Sequence, residues 1–172
     1  TDNESAQELE IVVGDTNRDA CLVEDLSTLK GEGYLIKNEK EKLFIMGVED
    51  RGVLYGVYSF LELLGYRFYT AEVEKIPAKN NVFIPKEINE SYNPTNGYRE
   101  VMYKCAWDGE WSAKQKINSF FQRDLSQLGG AVSFAGGAGY LVHTFSKLLP
   151  TSVYYEAHPE YYSLVNGVRL DK

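Results

Sequence analysis

The sequence predicts an α+β fold: a small, mostly antiparallel sheet with two helices on one face, followed by strand–helix units of the parallel α/β kind. Three observations carry this expectation. Between residues 9 and 85, apolar runs and helical periods alternate in the order strand, helix, hairpin, helix, strand. A polar stretch with Pro and Gly but no periodicity, KEINESYNPTNG at 86–97, then reads as a linker. Beyond it the order becomes strand–helix–strand–helix.

The elements follow from local chemistry. LEIVVG (9–14) is a β-branched apolar run closed by Gly, a buried strand. Asp15 and Thr16 offer capping oxygens to a helix whose stripe is Leu22, Leu26 and Leu29 and whose stop is Gly31 and Gly33; Asn17 and Arg18 are also read as capping residues. GYLIK (33–37) and KLFIMGV (42–48) flank the polar NEKEK and form a hairpin. Val53, Leu54, Val57, Leu61 and Leu64 recur with helical period until Gly65, and Asp50 and Arg51 at the helix head are expected to provide a cap and an ion pair. YRFYT (66–70) resumes extended structure, and NVFIP (81–85) is a short last strand ended by Pro85.

In the second region YREVMYKCAW (98–107) is a strand candidate. SAKQKINSFFQRDLSQLGG (112–130) has the pattern of an amphipathic helix, with Ile117, Phe120, Phe121 and Leu125 as its apolar stripe. AVSFAGGAGYLVHTF (131–145) opens as a strand, breaks at Gly136, Gly137 and Gly139, and delivers His143. HPEYYSLVNG, from His158, starts like a helix with Pro159 in its first turn. These units are too few for a closed barrel, which takes eight and about 250 residues.

Composition narrows the function classes. The chain has 172 residues, 44% hydrophobic and 13% aromatic, enough to bury a core. A net charge of -7 speaks against nucleic acid, whose phosphates need a cationic surface, and against anionic membranes. No apolar run approaches the roughly 20 residues of a membrane span. Cys21 and Cys105 fit no metal spacing and read as buried free thiols, and two histidines without a visible third ligand do not make a metal site. The glycine cluster lacks the Lys and Ser/Thr of a phosphate loop. No cofactor is expected.

At RGVLYGVYSFLELLGYRFYT (51–70) the sequence resembles the small α+β domain that precedes the barrel in glycoside hydrolases. Family 20 hexosaminidases and family 67 α-glucuronidases share its Arg-Gly-x-x-Tyr-Gly pattern and apolar helix, and the likeness extends over Glu10–Pro85, including EIVVGDTNR and IMGVEDRG. YREV (98–101), the glycine-rich segment ending in HTF, LLP and HPEYYSLVNGVR resemble a family from polysaccharide-degrading bacteria in which such a domain leads into a glycosidase-like barrel. The resemblance implies a non-catalytic leading domain at 1–90, a linker at 91–97, and the first βα units of a truncated (β/α)8 barrel at 98–172. It further implies that the chain is a fragment, with the catalytic carboxylates on later strands outside it, a carbohydrate as partner, and a periplasmic or cell-surface location. A non-catalytic carbohydrate-binding or scaffolding module is the alternative; an unrelated interaction domain pairing through its tail is a third reading. Open strand edges in a partial barrel would favour a homodimer of the fragment.

Candidate site residues follow from barrel geometry, since such sites lie at the carboxyl ends of the strands. This directs attention to CAWDGEW (105–111). Trp107 and Trp111 are candidates for stacking on sugar rings, or for packing between helix and strand. Asp108 and Glu110 supply carboxylates, and glycosidase pairs stand about 5–5.5 or 6.5–9.5 Å apart; capping of the next helix is the simpler role for Asp108. By resemblance to family 20, Arg99 would grip sugar hydroxyls; its rival role is a salt bridge with Glu100 or Glu160. His143 would donate to a sugar hydroxyl, while His158 would organise the loop before Pro159. The substrate-binding candidates are therefore Arg99, Trp107, Asp108 and His143.

Overall fold

A computed structural model of the chain describes residues 3–5, 7–17, 23–78, 83–121, 123–134 and 143–171. Two compact units make up the chain, Thr1–Val132 and Ser133–Lys172.

The first unit is built on a four-stranded sheet of β1 (Glu10–Val13), β3 (Lys42–Gly47), β2 (Tyr34–Glu39) and β6 (Asn89–Tyr92), in that spatial order. β1 runs parallel to β3, and β2 is antiparallel to both β3 and β6, so the mixed, mostly antiparallel α+β class is realised. The expected hairpin turns at Lys40 and Glu41, with φ of 49° and 67°, the doubly left-handed geometry that matches strand twist.

β3 explains the layering. Leu43 and Ile45 face one way, packing with Tyr34, Ile36 and Ile88 against Tyr55 and Phe60 of α2 (Asp50–Leu63). Phe44 and Met46 face the other way, with Val12 and with Leu26 of α1 (Val23–Ser27). The two helices therefore cover opposite faces of the sheet, correcting the one-face expectation. A strand apolar on both sides needs cover on both, and each fully buried side chain contributes about 1.5–3 kcal/mol. Arg18, Cys21 and Leu22 lie outside the described residues.

α2 approaches the sheet closely because it carries glycines one turn apart. A Cβ on Gly52 would stand 2.5 Å from the Gly33 carbonyl oxygen, and one on Gly56 would stand 2.9 Å from Ile45 Cγ2. Gly65, at φ 99°, ends the helix as expected. At its head the N-cap is Glu49, which makes no side-chain cap, and Arg51 pairs with Glu32 and Glu49 rather than with Asp50. β4 (Arg67–Phe68) and β5 (Glu74–Lys75) then form a short antiparallel ribbon.

The largest departures lie further on. Of NVFIP, residues 81 and 82 are outside the described residues, and Phe83–Pro85 form no strand. The last sheet strand comes instead from the stretch read as a linker: β6 pairs with the free edge of β2, Ile88 is buried, and Tyr92 stacks on Tyr34 with centroids 5.3 Å apart. Polar side chains mislead here because an edge strand bonds through its backbone.

Residues 98–107 contain no strand; Lys104–Trp107 is a 3-10 turn. The long helix expected over 112–130 is only α3 (Gly109–Lys114). Ile117, Asn118 and Ser119 leave the helix for the interior, at 5%, 0% and 0% exposure. Ile117 and Leu125 are buried, but not on one helical stripe. Of the strand expected from 131, Val132 forms a parallel bridge with Ser119, and residues 135–142, including Gly136, Gly137 and Gly139, lie outside the described residues.

The second unit contains α4 (Phe145–Leu148) and α5 (Thr151–Tyr154), each one turn long. Pro159 does sit in a first turn, but of a 3-10 helix that ends at Tyr161. β7 (Leu164–Val165) and β8 (Val168–Arg169) follow as a hairpin around Asn166-Gly167, where φ is 51° and 79°. Tyr162 is its buried centre, edge-on to Phe145 and Tyr155. Among the described residues no helix is long and apolar enough to cross a membrane.

Candidate functional site

Arg99 and Glu100 are neighbours in sequence whose side chains enter two separate charge clusters. The first surrounds Glu32, which is 5% exposed. Its carboxylate accepts from Arg51 Nε at 2.5 Å, from Arg99 Nη2, and from Asn118 Nδ2 at 3.0 Å to each oxygen. Arg99 also donates Nε to the Lys116 carbonyl at 2.6 Å and Nη1 to the Asn96 carbonyl at 2.7 Å, and its guanidinium lies 5.9 Å from the centroid of the Tyr55 ring. Arg51 reaches the Gly129 carbonyl at 2.8 Å.

Burial by itself would raise the Glu32 carboxyl, but the hydrogen bonds from Arg99 and Asn118 and the charges of both arginines outweigh it and hold the group below its ordinary range. Tyr55 beneath is pushed up to about 12, by burial first and by the Glu32 charge second.

The second cluster surrounds Arg123, whose side chain has 0% exposure. It pairs with Glu100 at 2.8 Å and donates to the Ala106 carbonyl at 2.6 Å, the Val101 carbonyl at 3.1 Å and Ser119 Oγ. Ser119 in turn donates to Glu100, as does Tyr98 at 3.3 Å. Buried charges persist only when paired in this way.

These clusters hold three stretches of backbone side by side. Asn118 N donates to the Arg99 carbonyl at 3.4 Å, and Val132 N donates to the Asn118 carbonyl at 2.7 Å beside the parallel Ser119–Val132 bridge. α3 lies in sequence between the first two.

The CAWDGEW turn connects Arg99 to α3. Asp108 is the N-cap of α3, accepting from Trp111 N at 2.7 Å. Trp111 donates Nε1 to the Phe68 carbonyl at 3.1 Å and is a packing residue; Gln115 donates to the same oxygen at 2.8 Å. Trp107 and Tyr103 stand out from the turn, 44% and 72% exposed. Cys105 is a free thiol, and Glu110 is exposed.

The structure thus draws Arg99, Trp107 and Asp108 into one stretch but gives them separate work. Arg99 is taken up by the Glu32 cluster, Asp108 by a helix cap, and Trp107 faces solvent. The partner of Arg99 is Glu32, not Glu100 or Glu160. In the second unit His143 is exposed with a left-handed φ of 56°. His158 Nδ1 lies 3.0 Å from Glu160, and its ring stacks on Tyr161 at 4.7 Å. Glu32, Asn118 and Arg123 were not legible as site residues: Glu32 sits between two glycines and reads as turn, and the other two fall inside an apparent helix. Among the described residues no group of three His, Cys, Asp or Glu side chains is placed to hold a metal ion.

In the first unit α2 lies on a small mixed sheet and carries the Arg-Gly-x-x-Tyr-Gly motif at 51–56. Residues 1–60 match the Glycosyl hydrolase family 67 N-terminus, and this segment is related to that N-terminal domain. Residues 68–172, more than half of the chain, match the family described as Domain of unknown function (DUF4838), and the chain belongs to that family. No curated protein and no solved structure matches the chain.

Proposed function

We propose that the chain is the leading part of a carbohydrate-active protein of the glycoside hydrolase type. In this reading residues 1–90 form a non-catalytic buttress, and residues 98–172 begin a (β/α)8 barrel whose catalytic carboxylates stand on later strands. The observation that carries it is that backbone at residues 99, 118 and 132 lies side by side, parallel at the Ser119–Val132 bridge and tied to the turn before β2 through Glu32. Barrel strands pair in parallel with a helix between them; here α3 lies between residues 99 and 118, and the parallel bridge joins 119 to 132.

On this reading Arg99 is a positioning residue, its guanidinium already donating to three protein oxygens. Sugar contact falls to the exposed Trp107 in the first unit; His143 is a separate candidate in the second. The carbohydrate partner and the periplasmic or cell-surface location belong to the same proposal, as does self-association of this chain in isolation. A second reading, a carbohydrate-binding module that hydrolyses nothing, is favoured by one observation: Asp108 is committed to its cap, so the turn offers no free carboxylate pair.

A glycan array and an aryl-glycoside screen, run on this chain and on the full-length gene product, test both readings. Turnover by the full-length protein alone supports the first; glycan binding without turnover by either supports the second; neither binding nor turnover removes both.

A further inference from the structure

A cavity of about 460 Å³ opens between the β2–β6 side of the sheet, the last turns of α2 and the end of α3, lined by Tyr34, Ser59, Glu62, Arg67, Glu90 and Lys116. It shares no residue with the turn that carries Trp107. Lys116 is its unusual member. Its backbone is left-handed, φ 59°, at the position where α3 closes with Lys116 N on the Ala113 carbonyl at 3.0 Å and Ile117 N on the Ser112 carbonyl at 2.9 Å. Glycine is the usual residue at that place, because a side chain there is strained. The Lys116 carbonyl is pinned by Arg99, so the side chain leaves from a fixed point.

The Lys116 ammonium lies 5.8 Å from the centroid of the Tyr92 ring and has no hydrogen bond or ion pair to any described residue. Burial lowers its proton affinity, with Glu62 opposing that from a distance. A left-handed backbone and a half-buried ammonium that meets an aromatic ring but no acceptor among the described residues mark Lys116 as a candidate ligand contact.

The lining says which ligand. Lys116 brings donors that lack an acceptor. Glu62 and Glu90 bring acceptors only. Tyr34 and Ser59 share a 2.6 Å hydroxyl–hydroxyl bond and can each give or take. The two cations and two carboxylates cancel, so a strongly anionic guest would meet Glu62 and Glu90 as repulsion. A ring of vicinal hydroxyls offers a donor and an acceptor at every oxygen, and the volume lies within the range of small-molecule sites, roughly 300–1,000 Å³.

We propose that this cavity binds a neutral sugar ring, with Lys116, Glu62, Glu90 and the Tyr34–Ser59 hydroxyl pair sharing its hydroxyl groups. This adds a second saccharide site, on the leading sheet, to the one proposed above, and stands or falls independently of it.

The test is an NMR titration of this chain with methyl β-D-xylopyranoside and methyl β-D-glucopyranoside, with glucuronate as the charged comparator. The expected result is saturable shifts at Ser59, Glu62 and Lys116 with a midpoint on the order of 1 mM, and glucuronate weaker by about tenfold. Lys116→Gly relieves the backbone strain, so its melting temperature should hold or rise while neutral-sugar affinity drops by about tenfold or more. Glu62→Gln should weaken binding without that gain, and it carries the test should Lys116→Gly fail to fold. The proposal is overturned by the absence of saturation up to about 100 mM, by glucuronate binding as well as the neutral glycosides, or by unchanged affinity in either variant.

Discussion

Glu32 and Arg99, 67 residues apart in sequence, form a buried ion pair that joins the turn before β2 to the segment that enters the second region. Glu32 belongs to the stretch matched by one family and Arg99 to the stretch matched by the other. A single carboxylate, gripped by two arginines and an asparagine, therefore spans both matches.

Removing that carboxylate leaves Arg99 without its counter-charge and Arg51 with Glu49 at 3.9 Å. Glu32→Gln should destabilise the first unit by about 3–5 kcal/mol, the cost of breaking a buried pair from one side. Denaturant melts measure it. A double-mutant cycle with Arg99→Met should return a coupling well above that of an exposed pair.

Acid should act through the same group. The folded-state carboxyl of Glu32 is held below its ordinary value of 4.5, so its contribution is fully present above that value and is lost as the pH falls through the lowered one. Stability of the native chain should decline across this interval, and the decline should be shallower in Glu32→Gln. Equal acid slopes in the two proteins would remove Glu32 from the account.

Alkali should act through Tyr55. Its phenol is raised from 10.0 to about 12, so the stability it contributes is complete below 10 and disappears as the pH climbs through the raised value. Tyr55→Phe should keep more of its stability in that range than the native chain does. Tyrosinate absorbance should also show a phenol that ionises late.

The glycines of α2 are not equivalent. At Gly52 a methyl group meets the Gly33 backbone, which cannot yield; at Gly56 it meets a terminal methyl of Ile45, which can. Gly52→Ala should cost about 1–3 kcal/mol, and Gly56→Ala less. Thermal melts of the two variants rank them.

Trp107 and Asp108 separate function from stability. Asp108→Ala should cost about 1 kcal/mol through loss of the α3 cap. Trp107→Ala, at an exposed position, should stay within about 0.5 kcal/mol. Under the proposed function Trp107→Ala lowers glycan binding while Asp108→Ala lowers mainly the melting temperature. The reverse pattern would assign the sugar contact to the carboxylate.

Sequence periodicity was a good guide to where the elements of the first half lie along the chain. β1, the β2–β3 hairpin and α2 fall along the chain where expected, but β1 is not a buried strand, since Ile11 and Val13 are exposed, and α2 buries Gly52, Tyr55, Gly56, Ser59 and Phe60 rather than the expected stripe of Val53, Leu54, Val57, Leu61 and Leu64. It failed where contacts between distant residues decide. Asn89–Tyr92 is polar because it lies on a sheet edge, yet Ile88 and the Tyr34–Tyr92 stack anchor it. Residues 115–130 carry helical spacing, but Asn118, Ser119 and Arg123 are drawn inward by carboxylates at positions 32 and 100. No local pattern announces a partner so far away. Asp108 was legible as a cap because capping is local, whereas the partner of Arg99 was not.

The order of the strands also shapes how the molecule is born. β2 takes its outer neighbour from residues 89–92, and Glu32 finds Arg99 and Asn118 later still. Until those residues leave the ribosome, a nascent chain carries an unzipped β2 flank and a carboxylate with Arg51 alone beside it. The stretch matched by each family therefore depends on contacts that the other supplies.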